Sequence, residues 1–202
     1  MTGSNSRFLS TDIITEFRGR GDEIRVSPFR FADICTLYDE HPQVLLSKYF
    51  RFGGMPQVWQ TEKTEEREQY LKNLFENVYL SDIINRYHLR GVEEIGILTD
   101  VLASSVGSLT NTLKIKNTFQ SERHSTISLN TINSYIGYLK DAFLLSEARR
   151  YDVKGRQYIS AQQKYYFADL GLRNARLDFR QQDYGQLMEN MIYKELVSRG
   201  FS

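Results

Sequence analysis

The spacing of apolar residues along this chain predicts mostly helices. After Ser128, a residue type that caps helix N-termini, Ile132, Tyr135 and Ile136 fall on one helical face. A broader apolar face runs through residues 62–79 behind a glutamate-rich start, where the helix dipole favours anions. The same spacing predicts further helices over residues 8–18, 30–39, 44–52, 93–109, 110–120 and 181–199.

Apolar and polar residues alternate in two places, which is typical of strands. Residues 22–29 predict one short strand that has no convincing partner downstream. In residues 146–169, two alternating arms flank a Lys-Gly-Arg turn at 154–156 and predict a β-hairpin. Three helices followed by a hairpin is the element order of a winged helix-turn-helix.

These elements predict a mainly α fold: a helical domain that contains a winged helix-turn-helix with a small β-hairpin. We expect an N-terminal helix and strand in residues 1–29, a lid-like helical region in 30–108, the winged-helix region in 109–180 and a C-terminal helix in 181–202. Both ends look cut, because the N-terminal strand lacks a partner and the chain stops just after a helix-ending glycine. We therefore expect the chain to be the middle of a longer protein.

The composition suits a cytoplasmic protein with an ordinary packed core. Hydrophobic residues make up 41% of the 202 residues, and the formal net charge is +1. The single cysteine, Cys35, excludes an intrachain disulfide and a cysteine metal cluster, and its apolar helical neighbours predict a packed side chain. The first residues lack the basic start and apolar run of a signal peptide, and no run of roughly 20 apolar residues occurs, so we expect no membrane partner.

Basic residues concentrate in the predicted winged-helix region. Residues 110–166 contain nine Lys and Arg residues and four acids, a local net charge of +5 that suits contact with phosphates. The candidate nucleic-acid-binding residues are Lys140, Arg149, Arg150, Lys154 and Arg156. The predicted recognition helix, however, offers few exposed side chains that read bases. Contact with DNA and contact with a protein therefore both remain open.

The sequence contains no complete catalytic constellation. It has no phosphate-binding loop of the form G-x-x-x-x-G-K-[ST], and its three histidines lack the spacing of metal ligands. Glu189 on the predicted last helix is a lone carboxylate, which is too little to hold a metal ion. We therefore expect no metal site and no cofactor for this chain alone.

Several stretches together resemble prokaryotic AAA+ ATPases in which the ATPase module is followed by the domain of unknown function 4143. These stretches follow one another in order and cover almost the whole chain. They are TGSNSRFLSTDIITEFRGR, IRVSPFRFAD, YFRFGGMPQV, YLSDIINRY, TINSYIGYLKDAFLL, KYYFADLGLRNA and GQLMENMIYKELVSRGF. The resemblance implies that residues 1–29 are the C-terminal edge of an α/β ATPase module.

The resemblance also implies roles for individual residues. Asn5 would be sensor-like and face the γ-phosphate, and Arg18 or Arg20 would be arginine-finger-like in phosphoryl transfer. ATP and Mg²⁺ are the cofactors of the full-length family, but the Walker A and Walker B segments are missing here. Glu189 matches the first acidic position of a truncated, nuclease-like C-terminal domain.

The favoured function is a binding or regulatory module for DNA or protein, which we expect not to be an enzyme by itself. The alternative is an ATPase component that contributes Asn5, Arg18 and Arg20 to a nucleotide site shared with another ATPase subunit or with a second copy. A nuclease remnant centred on Glu189 is the weakest hypothesis, because two-metal chemistry needs more ligands than one carboxylate.

Overall fold

The computed structural model describes residues 26–123, 126–152, 157–180 and 183–201. Within them the chain is mainly helical with one two-stranded antiparallel sheet, which confirms the predicted mainly α class. The helices are α1 (Phe31–Leu37), α2 (Pro42–Phe52), α3 (Pro56–Trp59), α4 (Thr64–Asn73), α5 (Ser81–Tyr87), α6 (Val92–Ser104), α7 (Thr112–Arg123), α8 (Leu129–Asp141), α9 (Leu170–Arg176) and α10 (Tyr184–Ser198). A π-helical segment, Leu74–Leu80, joins α4 to α5, and the strands are β1 (Leu145–Asp152) and β2 (Gln157–Phe167).

The predicted hairpin is present, with β1 and β2 paired antiparallel. Its register shifts between Arg149 and Arg150, an irregularity of the kind that bends a strand. Thr110 forms a bridge to Gln163 through two backbone hydrogen bonds of 2.9 Å. The segment between α6 and α7 therefore lies along the edge of the hairpin.

One hydrophobic core runs through the described residues, from Ile34 in α1 to Leu187 in α10. Several large side chains are buried in it almost completely: Phe75, Leu102, Phe119, Leu139 and Phe167. Burying a side chain of this size contributes about 1.5–3 kcal/mol. The N-terminal helices and the hairpin are therefore held together by the same core.

A buried polar joint connects α9 to the end of α2. Asp169 is only 3% exposed, and its carboxylate accepts hydrogen bonds from the backbone N–H groups of Gly54 (2.6 Å) and Leu172 (3.1 Å). The bond from Leu172 caps the N-terminus of α9. The side chain of Asn174 donates to the backbone carbonyl oxygen of Phe50 at 2.7 Å. Two segments far apart in the sequence are thereby fixed to each other.

Two glycines give the backbone of this joint its shape. Gly53 has a φ angle of 71°, a conformation that side chains other than glycine rarely adopt. A Cβ atom at Gly54 would lie 1.9 Å from the carbonyl oxygen of Phe29, which is far inside contact distance. Because neither glycine has a Cβ atom, the side chain of Asp169 can approach the backbone at Gly53, and the backbone of Phe29 can approach Gly54.

The strand predicted in residues 22–29 is wrong as far as the described residues reach. Residues 26–30 have no regular secondary structure. Phe29 donates its backbone N–H to the carbonyl oxygen of Gly54 (2.8 Å) and accepts from the hydroxyl of Tyr49 (2.9 Å). Because these bonds go to a loop and a side chain, and Pro28 has no N–H to donate, no strand ladder forms here.

Two further local predictions differ from the structure. Cys35 is exposed rather than packed, because the short α1 turns Ile34 into the core and leaves its neighbour outside. The helix α9 was not predicted, since its seven residues are too few to give a clear helical pattern after a strand.

Candidate nucleic-acid interface

The helix α8 forms one wall of a polar cleft beside the hairpin. The hydroxyl of Ser128 accepts a hydrogen bond from the backbone N–H of Thr131 at 3.0 Å, which confirms the predicted N-cap. The buried face of α8 consists of Ile132, Tyr135, Ile136 and Leu139. The exposed face includes Asn130, Asn133 and Ser134. The polar side of α8 is thereby held outward.

A cleft of about 270 Å³ lies between the start of α7, the helix α8 and both strands of the hairpin. Amide, hydroxyl and charged side chains line most of it: Asn111, Thr112, Asn133, Lys140, Glu147, Arg149, Gln163 and Tyr165. The hydroxyl of Thr112 donates to the Oδ1 atom of Asn133 at 2.8 Å, which connects α7 to α8 across the cleft. Such a lining offers both hydrogen-bond donors and acceptors to a partner.

Glu147 connects the two described cations that the sequence singled out. Its carboxylate accepts from the Nζ of Lys140 and from the Nε of Arg149, each at 2.5 Å. The Glu147 side chain is 8% exposed, whereas those of Lys140 and Arg149 are 38% and 60% exposed. The buried carboxylate therefore holds two more exposed cations at the mouth of the cleft, and the trio keeps a net charge of +1.

The pKa of Glu147 reflects this arrangement. Burial raises the pKa of its carboxyl, but hydrogen bonds from Lys140 and Arg149 outweigh burial and lower it below its ordinary value. The carboxylate therefore stays ionised at neutral pH and continues to orient both cations.

Glu189 lies beside the hairpin, where it is paired with residues of β2. Its Oε1 atom accepts from the Nζ of Lys164 and from the hydroxyl of Tyr166, both at 2.7 Å. Burial raises the pKa of Glu189, and these two hydrogen bonds more than compensate, so the pKa is lowered. Among the described residues, no group of three or more His, Cys, Asp or Glu side chains is placed to hold a metal ion. The surroundings of Glu189 are those of an ion pair that fixes α10 to β2.

The structure brings together only part of the predicted binding set. Lys140 and Arg149 meet at Glu147, while Arg150 lies in β1 with its side chain outside the described part of the structure. The other predicted site residues lie outside the described residues: Asn5, Arg18, Arg20, Lys154 and Arg156.

Sequence reasoning did not single out Glu147 as the partner of both cations. A signal was available, because alternate residues of a strand share one face, which places Glu147 beside Arg149. Asn111 and Gln163 carried no such signal. They reach the cleft through the bridge between Thr110 and β2, a contact between distant parts of the chain.

The described residues thus form a mainly helical protein with a polar, hairpin-edged cleft. A family model for a domain of unknown function, DUF8612, matches residues 43–183. The chain therefore belongs to the DUF8612 family.

Two curated relatives are similar over the whole chain. An uncharacterised protein of Haemophilus influenzae strain Rd is 35% identical, and this chain covers 51% of its length. An uncharacterised protein of Methanocaldococcus jannaschii is 27% identical, with 47% of its length covered. The chain thus spans about half the length of these relatives. No solved structure matches the chain significantly.

The resemblance to AAA+ ATPases followed by the domain of unknown function 4143 is wrong. The family model that matches is a different one, and neither it nor the relatives give a signal of either kind. Two stretches that suggested the resemblance, YFRFGGMPQV and KYYFADLGLRNA, meet in the joint between Asp169 and Gly54. Backbone packing accounts for their glycines and aspartate. ATP and Mg²⁺ rested on that resemblance alone.

A helix must be both long and apolar to cross a lipid bilayer. Across residues 26–123, 126–152, 157–180 and 183–201, no helix is both long and apolar enough to cross a bilayer.

Proposed function

We propose that residues 92–167 act as a winged-helix module that binds double-stranded DNA, with α8 as the helix that enters the major groove. The observation that carries this proposal is the order and pairing of the elements. The helix α6 is followed by the bridge from Thr110 to β2, then by α7, α8 and the hairpin. This is the order of a winged helix-turn-helix.

The side chains on this surface support contact with DNA. The exposed amides and hydroxyl of α8 can hydrogen-bond to base edges and to phosphate oxygens: Asn130, Asn133 and Ser134. Of these, Asn133 lines the cleft together with Lys140 and Arg149, and Glu147 fixes the positions of the two cations. Cations held in place near a groove-binding helix suit the phosphates that flank a groove.

The test is a titration of a fluorescently labelled 20-base-pair duplex, followed by anisotropy over a series of salt concentrations. Non-specific binding of this kind has a Kd of about 1–100 µM, and each lost phosphate contact flattens the salt dependence by about one unit. We expect Lys140→Gln combined with Arg149→Gln to weaken binding about tenfold at low salt and to flatten the slope by about two units.

The matched control is Lys48→Gln combined with Lys63→Gln. These lysines are also paired with glutamates, Glu40 and Glu66, but they belong to the N-terminal helical part. The control removes the same charge and should change binding much less. Equal losses in both double variants, or no duplex binding by the unchanged protein at low salt, would contradict the proposal.

Exposed leucines near the same surface favour a protein partner as the second candidate. Leu113 is 57% exposed, Leu109 is 41% exposed and Leu129 is 39% exposed. Clustered exposed apolar side chains are typical of protein contact surfaces, and these three leucines lie near the start of α7 and the start of α8. If the cation variants bind DNA as well as their control does, this leucine group becomes the contact surface to test.

A further inference from the structure

The cleft between α7, α8 and the hairpin has a buried floor as well as an open rim. Tyr165 and Ile136 line it and are only 2% and 5% exposed, whereas the side chain of Arg149 is 60% exposed. A DNA duplex is far too wide to enter a space of about 270 Å³. The volume lies just below the usual range of small-molecule sites, about 300–1,000 Å³. The floor of the cleft is therefore accessible only to a small molecule.

Most of the polar groups that remain available in the lining are hydrogen-bond donors. The ammonium group of Lys140 has three N–H groups, and its partner among the described residues is Glu147. The Oδ1 atoms of Asn111 and Asn133 already accept hydrogen bonds from groups at the start of α7, which leaves their NH₂ groups to donate. Such a lining suits a ligand that is rich in acceptor oxygens.

The buried hydroxyl of Tyr165 adds one more donor at the floor. It accepts a hydrogen bond from the side-chain amide of Gln163, so its own O–H is left to donate. Among the residues that the structure describes, this O–H has no acceptor. A buried polar group without a partner costs about 1–3 kcal/mol. An acceptor atom of a ligand at the floor would remove this cost.

The start of α7 brings backbone donors to the same cleft, since Asn111 and Thr112 line it. The first backbone bond of α7 runs from the N–H of Ile115 to the carbonyl oxygen of Asn111, and the side chain of Asn111 caps the N–H of Lys114. The N–H groups of Thr112 and Leu113 therefore precede the intrahelical bonds. The positive end of the helix dipole at this point favours an anion.

The charges of the lining also favour an anion. Glu147 is the acidic residue among the described side chains of the cleft, and it is compensated by Lys140 and Arg149, which leaves a net charge of +1. The wall formed by α8 leaves room for the rest of the ligand, because no atom lies within 4 Å of the place that a Cβ atom would take at Gly137.

We propose that this cleft binds a small phosphate monoester, such as a sugar phosphate. A phosphate monoester carries nearly two negative charges at neutral pH and three acceptor oxygens, which matches these cationic and neutral donors. Lys140 supplies the charge that binds the phosphate, as lysine does in many phosphate sites. The amides of Asn111 and Asn133 and the start of α7 donate to its oxygens. This site does not depend on DNA binding and is tested without DNA.

The test is isothermal titration calorimetry of the full chain with ribose 5-phosphate as the probe. Ribose, which lacks the charge, and ribonate, which carries a carboxylate instead, are the comparison compounds. We expect ribose 5-phosphate to bind with a Kd below about 1 mM and the other two to bind at least about tenfold more weakly. No binding of ribose 5-phosphate at about 10 mM would overturn the proposal, as would equally tight binding of ribonate.

A variant that fills the cleft separates loss of the site from loss of the fold. Gly137→Leu places a good helix former on α8 and occupies the space beside it, so it should weaken binding at least about tenfold without lowering the midpoint of urea denaturation. Asn117→Leu adds a leucine at an exposed position of α7 outside the cleft and should leave binding unchanged. Equal Kd values for the two variants would overturn the proposal.

A matched pair of lysine variants tests the charge. Lys140 and Lys48 are each paired with a glutamate, and their side chains are 38% and 32% exposed, but Lys48 lies in α2, away from the cleft. Lys140→Gln should weaken the binding of ribose 5-phosphate about tenfold, and Lys48→Gln should not change it. A loss in Lys140→Gln no larger than that in Lys48→Gln would contradict a phosphate held by Lys140.

Discussion

Glu147 in strand β1 and Asp169, just after strand β2, are two carboxylates with different kinds of partner. Asp169 accepts from backbone N–H groups at fixed positions in α9 and in the Gly-Gly loop. Glu147 accepts from the ends of two long cationic side chains at the mouth of a cleft. The first arrangement immobilises distant parts of the backbone, whereas the second holds two partly exposed cations in place at the surface. The comparison separates a structural joint from a candidate binding surface.

The largest expected effect comes from removing the joint. Asp169→Ala leaves buried N–H groups without an acceptor and should lower the free energy of unfolding by about 3 kcal/mol. Glu147→Ala removes an ion trio whose cations are partly exposed and should cost about 1 kcal/mol. Urea denaturation of both variants measures the difference. Equal losses in the free energy of unfolding would mean that the two carboxylates contribute equally to stability, which contradicts this distinction.

The glycines of the two regions allow a second comparison. Gly54→Ala forces a Cβ atom onto the carbonyl oxygen of Phe29 and should destabilise the protein by about 2–3 kcal/mol. Gly137→Ala on α8 meets no atom within 4 Å and should stabilise the helix by about 0.5–1 kcal/mol. Thermal unfolding gives both values. A Gly54→Ala protein as stable as the unchanged one would argue against a tight joint.

The carboxyl group of Asp169, in the joint, should also titrate differently from that of Glu147, in the cleft. Burial raises the pKa of Asp169 to about 6, although backbone hydrogen bonds from Gly54, Leu172 and Gly171 oppose it. The native protein then holds this proton more tightly than the unfolded chain, so stability falls as the pH rises from about 4 to about 6.

The measurement for this pH prediction compares the unchanged protein with Asp169→Asn, in which the titrating group is gone. The difference in unfolding free energy between the two should change by roughly 2–3 kcal/mol between pH 4 and pH 6. A constant difference across this range would mean that Asp169 does not titrate there.

The smallest expected effect is a change in duplex binding when the carboxylate of the cleft is removed. Glu147→Gln removes the carboxylate that pairs with Lys140 and Arg149 and raises the local charge by one. We expect it to strengthen duplex binding about two- to fivefold and to steepen the salt dependence. Weaker binding by this variant, with stability nearly unchanged, would mean that the orientation of the cations matters more than their charge.

The elements with strong local patterns were predictable from the sequence. Ser128 and the apolar face behind it predicted α8, and two alternating arms predicted the hairpin. The contact between Asp169 and Gly54 joins residues 115 positions apart, and no local pattern encodes such a contact. Two of the eight polar side chains that line the candidate cleft, Lys140 and Arg149, were predictable because basic residues cluster in the sequence. The positions of Asn111 and Gln163 in the cleft were not, because the bridge between Thr110 and Gln163 joins distant parts of the chain.

The central proposal is that α8 and the hairpin form a DNA-binding face, while the joint around α9 is structural. Hydrogen–deuterium exchange of the unchanged protein, with and without a saturating duplex, tests it most directly. We predict slower exchange on DNA addition in residues 129–141 and 145–152, and no change in residues 42–59 or 169–176. Slowing confined to α2 and α9, or none in α8 and β1, would contradict it.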